Sequence, residues 1–197
     1  MPRIVSPPVN QLDKLQPPLT EGERLVFNFF HQHLPPEWEI YLQPHLNGLR
    51  PDFVLLHPNA GIAVFEVKDW DLDTMKYWVE ERPGKPPVLL ARKNGEQATI
   101  QCKNPVEQIY RYKQELHELY CPGLDQRAGF VVITAGIIFP FARENEVRSL
   151  LSPCLHYRRM SQYPQNYPVS GAGSIHTGNI NKVFPKYNRQ SSRYMNE

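Results

Sequence analysis

A chain of 197 residues with 41% hydrophobic content is long enough for one domain with a real core, although 20 prolines point to long irregular stretches. The net charge of +2 argues against a global basic footprint for nucleic acid, and no apolar run approaches the roughly 18 residues that a membrane span needs. Cys102, Cys121 and Cys154 are odd in number and lack CxxC spacing, which argues against a disulfide framework or zinc site and suits a reducing cytosol. With no apolar signal core at the N-terminus, a cytoplasmic protein away from membranes is expected.

Residues 1–19 contain two Pro-Pro pairs and no periodic pattern, and read as an extended N-terminal arm. A helix is predicted from the capping-box sequence Thr20-Glu21-Gly22-Glu23 to Leu34-Pro35-Pro36. Trp38 to Leu42 reads as a short strand. Leu49 to Leu56 and Ile62 to Lys68 read as a hairpin through His57-Pro58-Asn59-Ala60-Gly61. Residues 71–102 form a β-rich excursion, with strands expected at Met75–Val79, Val88–Leu90 and Ala98–Ile100. A second helix is capped by Asn104, takes Pro105 in its first position and stops at Cys121-Pro122-Gly123, with the apolar stripe Ile109, Leu116, Leu119. The apolar run Gly129 to Phe139 reads as a buried central strand.

After Pro153 the pattern fails. Residues 161–197 hold few aliphatics and are expected to be disordered or poorly packed, so a chain ending near Met160 is expected to keep its fold. Ser170-Gly171-Ala172-Gly173-Ser174 lacks the Gly-Lys-Ser/Thr ending of a phosphate loop. Residues 141–197 hold eight Lys/Arg against three Glu, leaving 14 basic and 17 acidic residues in 1–140. A basic tail on a mildly acidic body hints at an anionic partner, and a solvated charged tail explains it equally well. The organisation is then an arm (1–19), an α/β domain (20–153) with helices on the faces of a mixed sheet, and a polar tail (154–197).

The hairpin carries the chemistry. If the turn pairs Leu56 with Ile62, Val54 faces Val64 and Asp52 faces Glu66, while Lys68 shares the face of Glu66. Two carboxylates opposite each other repel unless a cation lies between them. Mg²⁺, commonly held by one or two carboxylates plus waters and phosphates, fits that place. The competing reading is that Glu66 and Lys68 pair with each other on an edge strand. Glu23 falls on the apolar column Glu23, Phe27, Phe30, Leu34, and it also suits the capping box with Thr20. Gln108 and Tyr112 lie one turn apart beside the second helix's stripe, where a self-satisfied Gln and an ordinary core Tyr are the competing explanation. His31, His33, His45 and His57 are read as surface or cap residues.

Together, Glu23, Pro51-Asp52, Phe65-Glu66-Val67-Lys68 and Gln108-x-x-x-Tyr112 resemble the PD-(D/E)xK nuclease superfamily, and within it the nuclease-related domain (NERD) family. The Gly22-Glu23 opening and Asn104-Pro105 add to the likeness, which covers roughly residues 20–140. The resemblance implies an α/β/α sandwich with a central mixed β-sheet and Mg²⁺-dependent phosphodiester hydrolysis, with Mn²⁺ able to substitute. It implies that Asp52, Glu66 and the Val67 carbonyl hold the metal, and that Lys68 serves the attacking water and the phosphorane. Glu23 would orient a water or second ion, and Gln108 and Tyr112 would anchor the nucleic-acid backbone or buttress the site. DNA is favoured over RNA as substrate, in DNA processing. A non-catalytic nucleic-acid-binding or recruitment module of the same fold is the alternative. Many NERD proteins continue into a helicase, which implies a helicase partner, although no helicase motif follows here.

Overall fold

The structure, a computed structural model, describes residues 3–189. Its centre is a six-stranded mixed sheet in the order β1-β2-β3-β4-β8-β9. β2 (Glu39–Leu42), β3 (Phe53–His57) and β4 (Gly61–Val67) form an antiparallel meander. β8 (Ile133–Phe139) lies parallel to β4, and the short β1 (Val5–Ser6) and β9 (Val169–Gly171) close the two edges in parallel. Helix α1 (Glu21–His33) packs on one face through Val26, Phe27 and Phe30. Helices α2 (Pro105–Glu115) and α4 (Glu144–Tyr157) cover the other through Val106, Ile109, Val147 and Leu151. This is the expected α/β architecture. Among the described residues no helix is long and apolar enough to cross a membrane.

Local chemistry explains the first two helices. Thr20 and Glu23 form a complete capping box at the start of α1. Asn104 accepts the Val106 N–H, and Pro105 takes the first helical position of α2. The excursion between β4 and α2 is a separate antiparallel sheet of β5 (Met75–Arg82), β6 (Lys85–Lys93) and β7 (Ile100–Gln101). Trp70 pins it to the body, stacking on Tyr77 at 4.3 Å and packing against Phe139 at 5.1 Å.

Five expectations need correction. The run Gly129 to Phe139 is not one strand, because Gln126–Val132 form helix α3 before β8 begins. Asp125 caps α3 by accepting the Ala128 N–H, and an apolar run alone does not separate a buried helix from a buried strand. The helix ends where Val132 meets the β3–β4 turn, at Gly61. A Cβ on Gly61 would stand 2.3 Å from the Val132 carbonyl oxygen, and its φ of +123° already favours glycine. The exposed α3 carbonyls are satisfied by three side chains: Asn166 binds that of Phe130 at 2.6 Å, Lys113 reaches the same oxygen at 3.4 Å, and Lys186 binds that of Val131.

The tail is folded as far as residue 189, and residues 190–197 lie outside the described residues. β9 pairs with β8 (Ile137 opposite Val169), and two short helices follow, α5 (Ala172–His176) and α6 (Ile180–Val183). Phe184 packs edge-on against Trp38 at 5.0 Å and Phe65 at 5.6 Å, and the Trp38 indole N–H donates to the Tyr187 carbonyl at 2.9 Å. Composition averaged over the segment hid this. Val169, Ile175, Ile180, Val183 and Phe184 are buried, and a Cβ on Gly171 would stand 2.4 Å from the Glu144 backbone nitrogen, a close approach that glycine permits. Pro153, taken as the end of regular structure, lies inside α4, whose apolar face is held by packing despite the lost amide hydrogen bond.

The N-terminal arm is also docked. Besides β1 it forms a 3-10 turn over Val9–Lys14 with Leu12 buried, and Arg3 donates to the Leu34 carbonyl at 2.7 Å. On α2, Leu119 is 54% exposed and does not belong to the apolar stripe. The last turn widens into a π-helix over Leu116–Tyr120, which rotates Leu119 away from the core.

Candidate active site

The hairpin register is the expected one, with Leu56 opposite Ile62, Val54 opposite Val64 and Phe53 opposite Phe65. Phe53 and Phe65 point toward α1, where both meet Phe30, so the alternating positions on β3 and β4 face α2. Asp52 immediately precedes β3, where its carbonyl accepts the Gln43 N–H at 2.9 Å and continues the ladder. Its side chain turns to β4, and Oδ2 accepts the Val67 N–H at 2.6 Å. In a strand the N–H and C=O of one residue point the same way, so the Val67 carbonyl also faces the β3 side.

Glu66 is 4% exposed and fully engaged. Its Oε1 accepts from Lys68 Nζ at 2.6 Å and from Gln108 Nε2 at 2.7 Å, and its Oε2 accepts the Tyr112 hydroxyl at 2.8 Å. Glu66 and Lys68 do pair with each other, but on β4, an inner strand flanked by β3 and β8 rather than an edge. Gln108 also donates to the Tyr112 oxygen at 3.3 Å. Burial and the Glu66 carboxylate together push the Tyr112 phenol well above its ordinary range.

Both expectations for Glu23 hold together. Its Oε2 accepts the Thr20 N–H at 2.8 Å and the Gln43 side-chain amide at 3.2 Å, and the side chain is buried at the head of α1. Arg50 donates to Gln43 Oε1 at 2.7 Å, linking Glu23 to the approach of β3. Asp52 is pushed far above the carboxylate range, to about 9. Burial is the main cause and the Glu66 charge the next; the Val67 N–H opposes, and Glu23 adds to the rise.

This donor set suits a divalent, oxygen-preferring cation. Two carboxylates from adjoining strands and one carbonyl leave room for waters and a phosphate, and a cation would relieve the charge that burial penalises at Asp52. Among the described residues no group of three or more His, Cys, Asp and Glu is placed to hold a metal ion.

Residues 19–140 match the family model for the nuclease-related domain. The chain belongs to the NERD family. The comparisons with curated proteins and with solved structures found no match. Every candidate site residue lies within the matched span, while α4, β9, α5 and α6 lie beyond it.

Sequence reasoning missed three supporting residues. Asp69, directly after Lys68, accepts the Gly22 N–H at 3.0 Å, and a Cβ on Gly22 would stand 2.0 Å from its carboxylate oxygen. A larger residue in the Gly22-Glu23 pair would have to displace the Asp69 and Pro140 side chains. Gln43 and Arg50 form the bridge to Glu23, and the adjacency of Arg50 to Pro51-Asp52 was the available signal. His57 accepts the Asn59 and Ala60 N–H groups, which makes it a turn residue as expected.

Proposed function

We propose that this NERD domain is a metal-dependent nuclease that hydrolyses phosphodiester bonds, of DNA in preference to RNA. The observation that carries the reading is the convergence on Glu66 of Lys68, Gln108 and Tyr112, with Asp52, just before β3, accepting the N–H of the adjacent Val67. Mg²⁺ or Mn²⁺ held by Asp52, Glu66 and the Val67 carbonyl would supply Lewis acidity and a bound water of lowered pKa. Lys68 shares the site's face and sits 2.6 Å from Glu66, where its ammonium stabilises charge building on the phosphorane and orients the attacking water. Gln108 and Tyr112 fix the Glu66 carboxylate in one orientation, and both also line an adjoining cleft open to a phosphate. Glu23 holds the head of α1 and adds negative charge near Asp52.

A second reading, a binding module without turnover, has its own observation: protein donors already occupy both Glu66 oxygens. Incubating labelled single-stranded and duplex DNA and RNA with the protein in Mg²⁺, in Mn²⁺ and in chelator decides between them. Cleavage that needs the metal and is lost in Lys68→Ala supports the nuclease. Metal-independent binding without cleavage supports the module.

A further inference from the structure

Beside Gln108 and Tyr112 opens a cleft of about 590 Å³, bounded by α2 on one side and by the β5–β6–β7 sheet on the other. Its lining includes four cations, Arg50, Arg82, Lys103 and Arg111, and a single carboxylate, Glu107. Arg158 already neutralises that carboxylate. The guanidinium binds both Glu107 oxygens, one of them at 2.8 Å, and stacks 4.0 Å above the Tyr110 ring. Among the described residues, Arg82, Lys103 and Arg111 have no carboxylate within ion-pair distance, and all three are exposed. The cleft is therefore strongly cationic in a chain whose net charge is only +2. Its opposite wall, Pro86 to Leu89 of β6, is uncharged.

From this we infer that the cleft binds the phosphate backbone of a single nucleic-acid strand and leads one phosphate to the proposed cation site beside Glu66, an assignment that rests on the nuclease reading. Unpaired cations spaced along one channel match a polyanion, and the two residues that contact Glu66 line the same channel. A cleft of this size seats one backbone at a time. The volume is that of an ordinary ligand pocket, roughly 300–1,000 Å³, whereas a duplex carries two backbones about 12 Å apart across its major groove. The β5–β6–β7 sheet is then the wall that selects unpaired substrate.

The test measures binding of a labelled single-stranded oligonucleotide and of the matching duplex in chelator, across a salt series. The variants are Arg82→Ala/Lys103→Ala/Arg111→Ala and a control triple, Arg143→Ala/Arg148→Ala/Lys182→Ala, which removes cations from a separate hollow beside α4 and α5. Thermal melts check that both triples fold. Each lost phosphate contact reduces the slope of log K against log salt by about 0.7 on a single strand, so the cleft triple should lose about 2 and the control little. An unchanged slope in the cleft triple overturns the proposal, and so does equal or tighter binding of the duplex. A protein that shows the expected slopes but cuts nothing keeps the cleft and loses the nuclease reading. One that cuts with metal while the cleft triple matches wild type does the reverse.

Discussion

The Val67 N–H donates to Asp52 Oδ2 at 2.6 Å, so the carboxylate assigned to the cation also clamps the backbone next to Glu66. An asparagine retains an acceptor for that bond and removes a group whose charged form its surroundings disfavour. Asp52→Asn should therefore melt at or above wild type in chelator while losing cleavage. Asp52 has a folded pKa raised, mainly by burial, from 3.8 to about 9. Its contribution to stability is present below the unfolded value and is lost as pH rises through the folded one. The melting-temperature advantage of the variant should grow from pH 5 to pH 9, and a constant gap would show that Asp52 carries no buried-charge penalty.

Gln108 donates to a charged oxygen, at 2.7 Å from Glu66. Hydrogen bonds to charged groups contribute about 1.5–3 kcal/mol, so Gln108→Ala should slow cleavage by roughly tenfold or more. Metal affinity rests on Asp52 and Glu66 and should persist. Calorimetric Mg²⁺ titration alongside a cleavage time course checks both. A vanished isotherm would place Gln108 among the metal ligands, and an unchanged rate would leave it as packing.

A chain ending at Met160 should fail to unfold cooperatively. It loses Val169, Ile180, Val183 and Phe184, and with them the cover on Trp38 and Phe65. Removing one buried aromatic side chain costs about 3–5 kcal/mol, against about 5–15 kcal/mol for a whole domain. The single variant Phe184→Ala should show a loss of that size in urea melts. Sharp melting of the truncated chain would mean that the last strand and helices are dispensable.

Lys113 and Lys186 lie close together behind β8, pushed down to about 7 and about 8, chiefly by burial and then by neighbouring cations. Lys113 also faces the Phe130 and Tyr167 rings at 4.8 and 4.6 Å, which partly offset that penalty. A depressed folded pKa contributes stability that is present above the unfolded value and is lost as pH falls through the folded one. Lys113→Met should therefore gain melting temperature over wild type at pH 6 and lose most of that advantage by pH 9. A difference independent of pH would mean that Lys113 does not titrate in the core.

The parts of this fold that were legible in sequence are those where a few local rules decide. The capping signals of α1 and α2 and the Leu56–Ile62 register of the hairpin put Glu23, Asp52, Glu66, Lys68, Gln108 and Tyr112 in the expected places, although the turn itself is only Pro58 to Ala60. The α3–β8 boundary was not legible, because Phe130 to Ile133 are apolar in either conformation and the break depends on Asp125 and on the gap at Gly61. The tail was hidden for a different reason. Val169, Val183 and Phe184 acquire their burial only from partners far away in sequence, on β8, β4 and beside Trp38. The cleft cations were equally invisible, since Arg82 and Lys103 meet Arg111 only after the β5–β6–β7 sheet has folded back.

The two outermost strands, β1 with two residues and β9 with three, both lie outside the span that the family model matches. Residues 19–140 cut out on their own would leave β2 and β8 with unpaired backbone N–H and C=O groups along their outer sides. On β8 all seven residues are buried in the whole chain. An open, apolar edge of that kind recruits strands from neighbouring molecules. An excised core should therefore aggregate more readily than the longer chain, in which β1 and β9 cover those edges.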